Sequence, residues 1–351
     1  MGVRPSQQIV RELPTILAGL LDVPTREVDV EKGGAPAAQL VVRAGGHVFV
    51  VEVLAVASPG SVAAHAERVV TAAKRLRRKA TPLLAVPYMT GAGRRVAEGA
   101  QVPWFDLSGN AHIVAPGLRI IVEGRLNRFP RVGRPASVFA PKSARLVRWL
   151  LMHPERASLQ RELARATEMD EGMVSRLSAR LEADNYVVRE PSGALRVKDP
   201  ALLLDAWQAE YRFERHVLIQ GSVAARSGDA LTRFVGDALA SAHVQHAATG
   251  LSAAWQFSRF ASFRIATFFV SEPLSDTLRA RLGFREEPRG ANLWLVVPND
   301  AGVFQGVGNQ SGVRCVHPVQ TYVDLKSHPE RATEAAERLR TDLLATWRLD
   351  G

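Results

Sequence analysis

The residues best placed to do chemistry in this chain are hydrogen-bond donors. Residues 171–183 read Glu-Gly-Met-Val-Ser-Arg-Leu-Ser-Ala-Arg-Leu-Glu-Ala. Val174, Leu177 and Leu181 recur at helical spacing, which assigns them to a core and leaves Ser175, Arg176, Ser178, Ala179 and Arg180 for an outer face. An Arg there can hold guanine through two hydrogen bonds, and a Ser can bond base or phosphate. Gln160 and Arg161 open the preceding helix, where backbone amides often meet a DNA strand. Arg189, Arg196 and Lys198 stand on the hairpin that follows, within reach of a neighbouring phosphate. Upstream, Arg125, Arg128, Arg131, Arg134 and Lys142 are spaced among Pro130, Pro135 and Pro141, and no acid occurs between Glu123 and Glu155. That stretch reads either as a basic arm on phosphates or as a solvated interdomain strap. Asp170 and Glu171 oppose the theme: they suit a helix N-terminus but repel phosphate.

The elements that must position these donors are three amphipathic helices and a short hairpin over 143–198, the order of a winged helix-turn-helix. Leu146, Leu150, Leu159, Leu163, Val174, Leu177 and Leu181 are its expected core. The last two helices are joined by a tight corner, and the wing Val187–Val197 turns at Pro191-Ser192-Gly193. Such a module places its last helix in a major groove; it also serves as a protein-interaction module.

Residues 1–126 read as an α/β domain: a helix at 7–21, a hairpin of 40–43 and 48–55, a helix at 61–79, a strand at 82–87, a helix at 90–100, and strands at 102–105, 111–114 and 118–123. Gln39-Leu40-Val41-Val42-Arg43 and Val50-Val51-Glu52-Val53-Leu54 resemble the strand pair of PD-(D/E)XK restriction-endonuclease-like domains. The resemblance puts the first metal-binding acid at Gln39, the second at Glu52 and the lysine at Leu54. One carboxylate alone is a poor metal site, so this domain is expected to be degenerate. A metal-dependent nuclease with a rearranged Glu52 site is the alternative. Asp106-Leu107-Ser108-Gly109-Asn110 is expected to be a tight turn, with a ligand contact as the second reading.

Residues 127–142 form the basic Pro-rich linker, 143–200 the winged helix and 201–351 a third, α/β domain. In the third, Thr249-Gly250-Leu251-Ser252 opens a helix after a strand and resembles the phosphate-cradling start of nucleotidyltransferase-fold domains. The next strand, near Phe269 and Ser271, lacks the paired acids that two-metal chemistry needs. The five phenylalanines at 257, 260, 263, 268 and 269 read as core. The histidines, among them His65, His112, His216, His243, His246 and His317, show no metal-ligand spacing, and no Ser has a nucleophile-elbow context.

Composition is that of a globular protein, 46% hydrophobic and 23% charged. The net charge of +10, carried mostly by Arg, fits either an acidic partner or Arg-favouring codon usage. A single cysteine, Cys315, allows no intrachain disulfide, and the most apolar run, 48–57, is too short to span a bilayer. A cytoplasmic location is expected.

The winged helix and third domain resemble the AbiEi-type antitoxins of type IV toxin–antitoxin systems. The residues that carry this are Lys198-Asp199-Pro200, Leu204-Asp205-Ala206-Trp207, Thr249-Gly250-Leu251, Gly290-Ala291-Asn292-Leu293-Trp294 and 317–325. The resemblance implies a DNA-binding autorepressor, with double-stranded DNA, a nucleotidyltransferase toxin and a second copy of the chain as partners. Expected, then, is an α/β multidomain transcriptional regulator with catalytically silent flanking domains, no enzyme, no cofactor and no metal. The alternatives are the Glu52 nuclease and a protein-interaction factor that does not bind DNA.

Overall fold

The computed structural model describes residues 5–32, 39–76, 79–129, 137–260 and 262–349. The chain forms two compact units, residues 1–135 with 183–185, and residues 136–182 with 186–351.

The first unit contains α1 (Pro5–Leu21), β1 (Asp29–Lys32), β2 (Gln39–Ala44), β3 (His47–Val53), α2 (Pro59–Arg75), β4 (Thr81–Val86), α3 (Gly91–Gly99), β5 (Trp104–Asp106), β6 (Ala111–Ala115) and β7 (Leu118–Val122). Its seven strands lie in sequence order, parallel at β3–β4–β5 and antiparallel elsewhere. Along β3, alternate side chains enter opposite cores. Phe49 and Val51 pack with Ile9, Leu13 and Leu17 of α1, whereas Val50 packs with Val62 and Val69 of α2. A strand covered on both faces reads as the near-continuous apolar run seen in the sequence. Ser58 and Thr90 cap α2 and α3 through their hydroxyls. The helix expected over 61–79 ends at Arg75, and its basic residues 77 and 78 lie outside the described residues.

The second unit begins with α4 (Ala144–Met152), α5 (Gln160–Thr167), α6 (Glu171–Ala183), β8 (Val187–Arg189) and β9 (Leu195–Val197). It continues through α7 (Pro200–Glu210), β10 (Val217–Ser222), α8 (Gly228–Ser241), β11 (His246–Ala248), α9 (Gly250–Ser258), β12 (Ala266–Val270), α10 (Asp276–Leu282), β13 (Arg285–Glu286), β14 (Leu293–Val297), β15 (Gly308–Gln310), β16 (Val313–Cys315), α11 (Pro318–Leu325) and α12 (Ala332–Leu349). The sheet order is β13-β10-β14-β12-β11-β16-β15. One core joins the winged helix to this half: Leu146, Leu150, Leu163 and Leu181 belong to the same buried cluster as Trp207, Val319, Val323 and Leu339. Among the described residues, no helix is long and apolar enough to cross a membrane.

Candidate nucleic-acid interface

The corner between α5 and α6 is three residues long. Glu168 ends α5 in the left-handed region (φ 53°), Met169 is buried, and Asp170 accepts a hydrogen bond from the Met173 amide at 2.9 Å, capping α6. Glu162 closes the front of α5 by accepting from the Leu159 amide. The wing is a true antiparallel pair, and Ser158 adds a separate antiparallel bridge by exchanging both backbone hydrogen bonds with Leu195. Val174, Leu177 and Leu181 are buried as expected.

The outer face of α6 consists of Gly172, Ser175, Arg176 and Ala179, all exposed and spaced to form one stripe. Arg180 is half-buried at its margin. Ser178 departs from expectation: it is fully buried, because it sits one position beyond Leu177 on the face turned to the core. Leu159, expected in the core, is exposed immediately before α5. Arg161 and Arg165 of α5 are exposed and Gln160 is half-buried.

The wing is electrostatically quieter than its sequence suggests. Arg189 is gripped by Glu182 at 3.1 Å and also donates to the Gly193 carbonyl, and Arg196 pairs with Glu190 at 3.2 Å. Lys198 is exposed at the base of the wing. Lys142 and, in the first unit, Arg128 are exposed, whereas Arg131 and Arg134 fall outside the described residues.

Residues 140–194 match the MarR family. The matched stretch is the winged helix. It supports a DNA-binding transcriptional regulator, and it leaves both sheets unmatched. No curated protein and no solved structure matches the chain.

Alongside this MarR-like segment, the structure reveals a buried polar network that sequence reasoning missed. Arg148 of α4 is 3% exposed. Its Nε and Nη2 donate to Gln320 Oε1 at 2.9 and 2.7 Å, its Nη1 donates to Gln305 Oε1 at 3.3 Å, and the guanidinium lies over the Trp207 ring. Gln320 passes the contact on: its amide nitrogen donates to Asp324 Oδ1 at 2.8 Å. Asp324 also accepts from the Tyr211 and Thr249 hydroxyls, each at 2.5 Å. The Asn299 amide donates to His216 Nδ1, so the neutral ring carries its proton on Nε2 and donates to the Tyr211 oxygen at 2.8 Å. Burial pushes the Asp324 carboxyl up to about 7, pulls Arg148 down to about 10, and pulls His216 down to about 4 with help from Arg148. The sequence signal was there. Arg148 interrupts Leu-Val-Arg-Trp-Leu-Leu, and Asp324 interrupts Tyr-Val-Asp-Leu; a lone charge inside an apolar run needs a buried partner.

The two sites suggested by the flanking domains are occupied by protein contacts. Glu52, buried on β3, pairs with His65 at 3.0 Å and Arg68 at 2.9 Å, both from α2. In backbone register Glu52 faces Gln39 across the hairpin. Asp106 is fully buried and accepts from the backbone amides of Met89, Ser108 and Asn110 and from the Asn110 side chain, which makes it the hub of a tight turn. Gly250 adopts φ 56° directly against His328, where a Cβ would meet the ring at 2.7 Å. Phe269 is buried within the sheet and Ser271 is exposed just beyond β12. Among the described residues, no group of three His, Cys, Asp or Glu side chains could hold a metal ion.

Proposed function

We propose that this protein is a sequence-specific DNA-binding repressor of the antitoxin-like kind, acting on its own operon and carrying two sheet domains that do no chemistry. The observation that carries this reading is the stripe Ser175, Arg176, Ala179 on the second helix of a MarR-like helix-turn-helix, exposed and aligned for a major groove. The pairing of Glu52 with α2 supports silence in the first domain. A nucleotidyltransferase toxin as partner rests on the resemblance of the third domain and the winged helix to AbiEi-type antitoxins.

The test is a binding selection with purified protein on genomic fragments, followed by gel shifts on the enriched site. We expect enrichment of the chain's own upstream region and, for a homodimer, two half-sites about 10 base pairs apart or a multiple of that. Arg176→Ala should lose about 1–3 kcal/mol of discrimination against the wrong base. Unchanged operator preference in that variant would remove α6 as the reading element. Absence of any shift at low salt would favour the protein-interaction reading, which the acid-paired cations of the wing already favour over a DNA-gripping wing. Plasmid nicking with Mg²⁺ or Mn²⁺, abolished in Glu52→Ala, would instead establish the nuclease.

A further inference from the structure

The two edges of the first sheet are built differently. β1 is charged, and Arg43 of the neighbouring strand holds both Asp29 at 3.1 Å and Glu31 at 2.7 Å. Such charges blunt an edge against pairing. β7, at the other edge, reads Leu-Arg-Ile-Ile-Val, and among the described residues no strand lies beyond it. Ile121 on β7 and Val114 on β6 are 44% and 46% exposed, on the sheet face that also carries Arg119.

The backbone of this edge is open as well. The two-residue turn Pro116-Gly117 makes Ala115 and Leu118 the closing hydrogen-bonded pair. By alternation Ile120 and Val122 bond inward to β6, while Arg119 and Ile121 turn their N–H and C=O groups outward. An apolar edge of this kind is a template for another strand.

The sequence of the edge fits itself. Opposite side chains in an antiparallel pair share a face and successive ones alternate, so a two-fold pair must centre on a residue. Centred on Ile121, Arg119 lies opposite Glu123 of the second copy, Ile120 opposite Val122, and Ile121 opposite itself. Centring on Ile120 would set Arg119 against Ile121, and centring on Val122 would set Glu123 against Ile121. Only the first register brings opposite charges together. Arg119 is exposed and has no acid partner among the described residues. Glu123 holds Arg94 through Oε1 at 2.8 Å and is half exposed, which leaves Oε2 for a second guanidinium.

We propose that the first unit self-associates through β7, two copies joining antiparallel about Ile121 into one continuous sheet. This surface lies outside the MarR-like segment, and the pairing does not depend on DNA binding. A five-residue edge is a small contact, so the dimer is reversible, with Kd on the order of 1–100 µM.

The experiment is sedimentation equilibrium of the full chain over a concentration series, joined to cysteine cross-linking. The unaltered chain should dimerise. Arg119→Glu and Glu123→Arg should each weaken the dimer about tenfold or more, because like charges then oppose, and an equimolar mixture of the two variants should dimerise again. Both positions are exposed, so melting temperatures should not move. Ile121→Cys puts two thiols on the axis with Cα atoms about 5.5 Å apart, and diamide should link them; Arg119→Cys puts them off the axis and should stay unlinked. The native Cys315 is buried and does not compete. A chain that stays monomeric up to about 500 µM would overturn the proposal and leave the edge to a strand of another protein. Dimers undiminished in both charge variants, or cross-linking of Arg119→Cys but not of Ile121→Cys, would overturn it too.

Discussion

Ser178 and the buried histidines show how much a single position decides. Ser178 lies one residue from the exposed stripe of α6, yet it is fully buried and its hydroxyl has no partner among the described residues. A buried hydroxyl without a partner is a cost, not a contact. Ser178→Ala should therefore raise stability slightly or leave it unchanged, and should leave DNA affinity unchanged; a loss of operator binding at constant melting temperature would restore Ser178 to the interface. His216, His317 and His328 are all pulled down to about 4 by burial. The folded state thus binds fewer protons than the unfolded chain between about pH 4 and the ordinary histidine value near 6.5, and stability is lost as pH falls through that window. Asp324 runs the other way. Its carboxyl is raised from 3.8 to about 7, so it resists that loss across nearly the same range and weakens the fold as pH rises toward 7. Three groups outweigh one. Melting temperature should fall from pH 6.5 to 4, and Asp324→Asn should make the fall steeper by up to about 1.4 kcal/mol per pH unit. An unaltered pH profile in that variant would mean that Asp324 is charged throughout.

At the scale of elements, α6 carries a conflict between folding and binding. Asp170 caps the helix, as helix N-termini favour, but places a carboxylate where a groove-bound helix approaches phosphate. An asparagine keeps the cap and removes the charge. Asp170→Asn should hold the melting temperature within a few tenths of a kcal/mol of unfolding free energy and raise DNA affinity, whereas Asp170→Ala should cost about 1 kcal/mol of stability. Falling affinity in the asparagine variant would mean that Asp170 contacts a base donor. The helices and most inner strands of both sheets were legible because their apolar residues repeat at 3.6 or 2, or run together where both faces are covered; the short inner β16, Val-Arg-Cys, was not. The strands that escaped notice are mostly edges: β1 is Asp-Val-Glu-Lys, β13 is Arg-Glu and β15 is Gly-Asn-Gln. Polar edge strands deter pairing with other chains, and the same polarity hides them from pattern reading. The winged helix was legible for the same periodic reason, whereas the Arg148–Gln320–Asp324 network joins residues over 170 positions apart and no local pattern encodes that closure.

For the whole molecule, the net charge of +10 admits two explanations with different salt dependence. If the charge as a whole addresses DNA, many phosphates are engaged and affinity collapses with added salt; if Arg-rich composition supplies most of it, only the local cations count. The structure favours the second. Arg189 and Arg196 are tied to glutamates, Arg145 to Asp300 and Arg340 to Asp205. On the helix-turn-helix, Arg161, Arg165 and Arg176 are exposed and no described acid pairs with them. With Arg176 reading a base, the two phosphate contacts of Arg161 and Arg165 per copy give a slope of log affinity against log salt of about −2, since each contact contributes about −0.9. We therefore expect about −2 for one copy on a half-site and about −4 for a dimer on a full site. Arg161→Ala and Arg165→Ala should each flatten the monomer slope by about 1 while lowering affinity for all sequences alike. Filter binding across a salt series on a half-site and a full site measures both. A half-site slope near −10 would show that the distributed charge of the chain is engaged and that the ion pairs of the wing open on DNA.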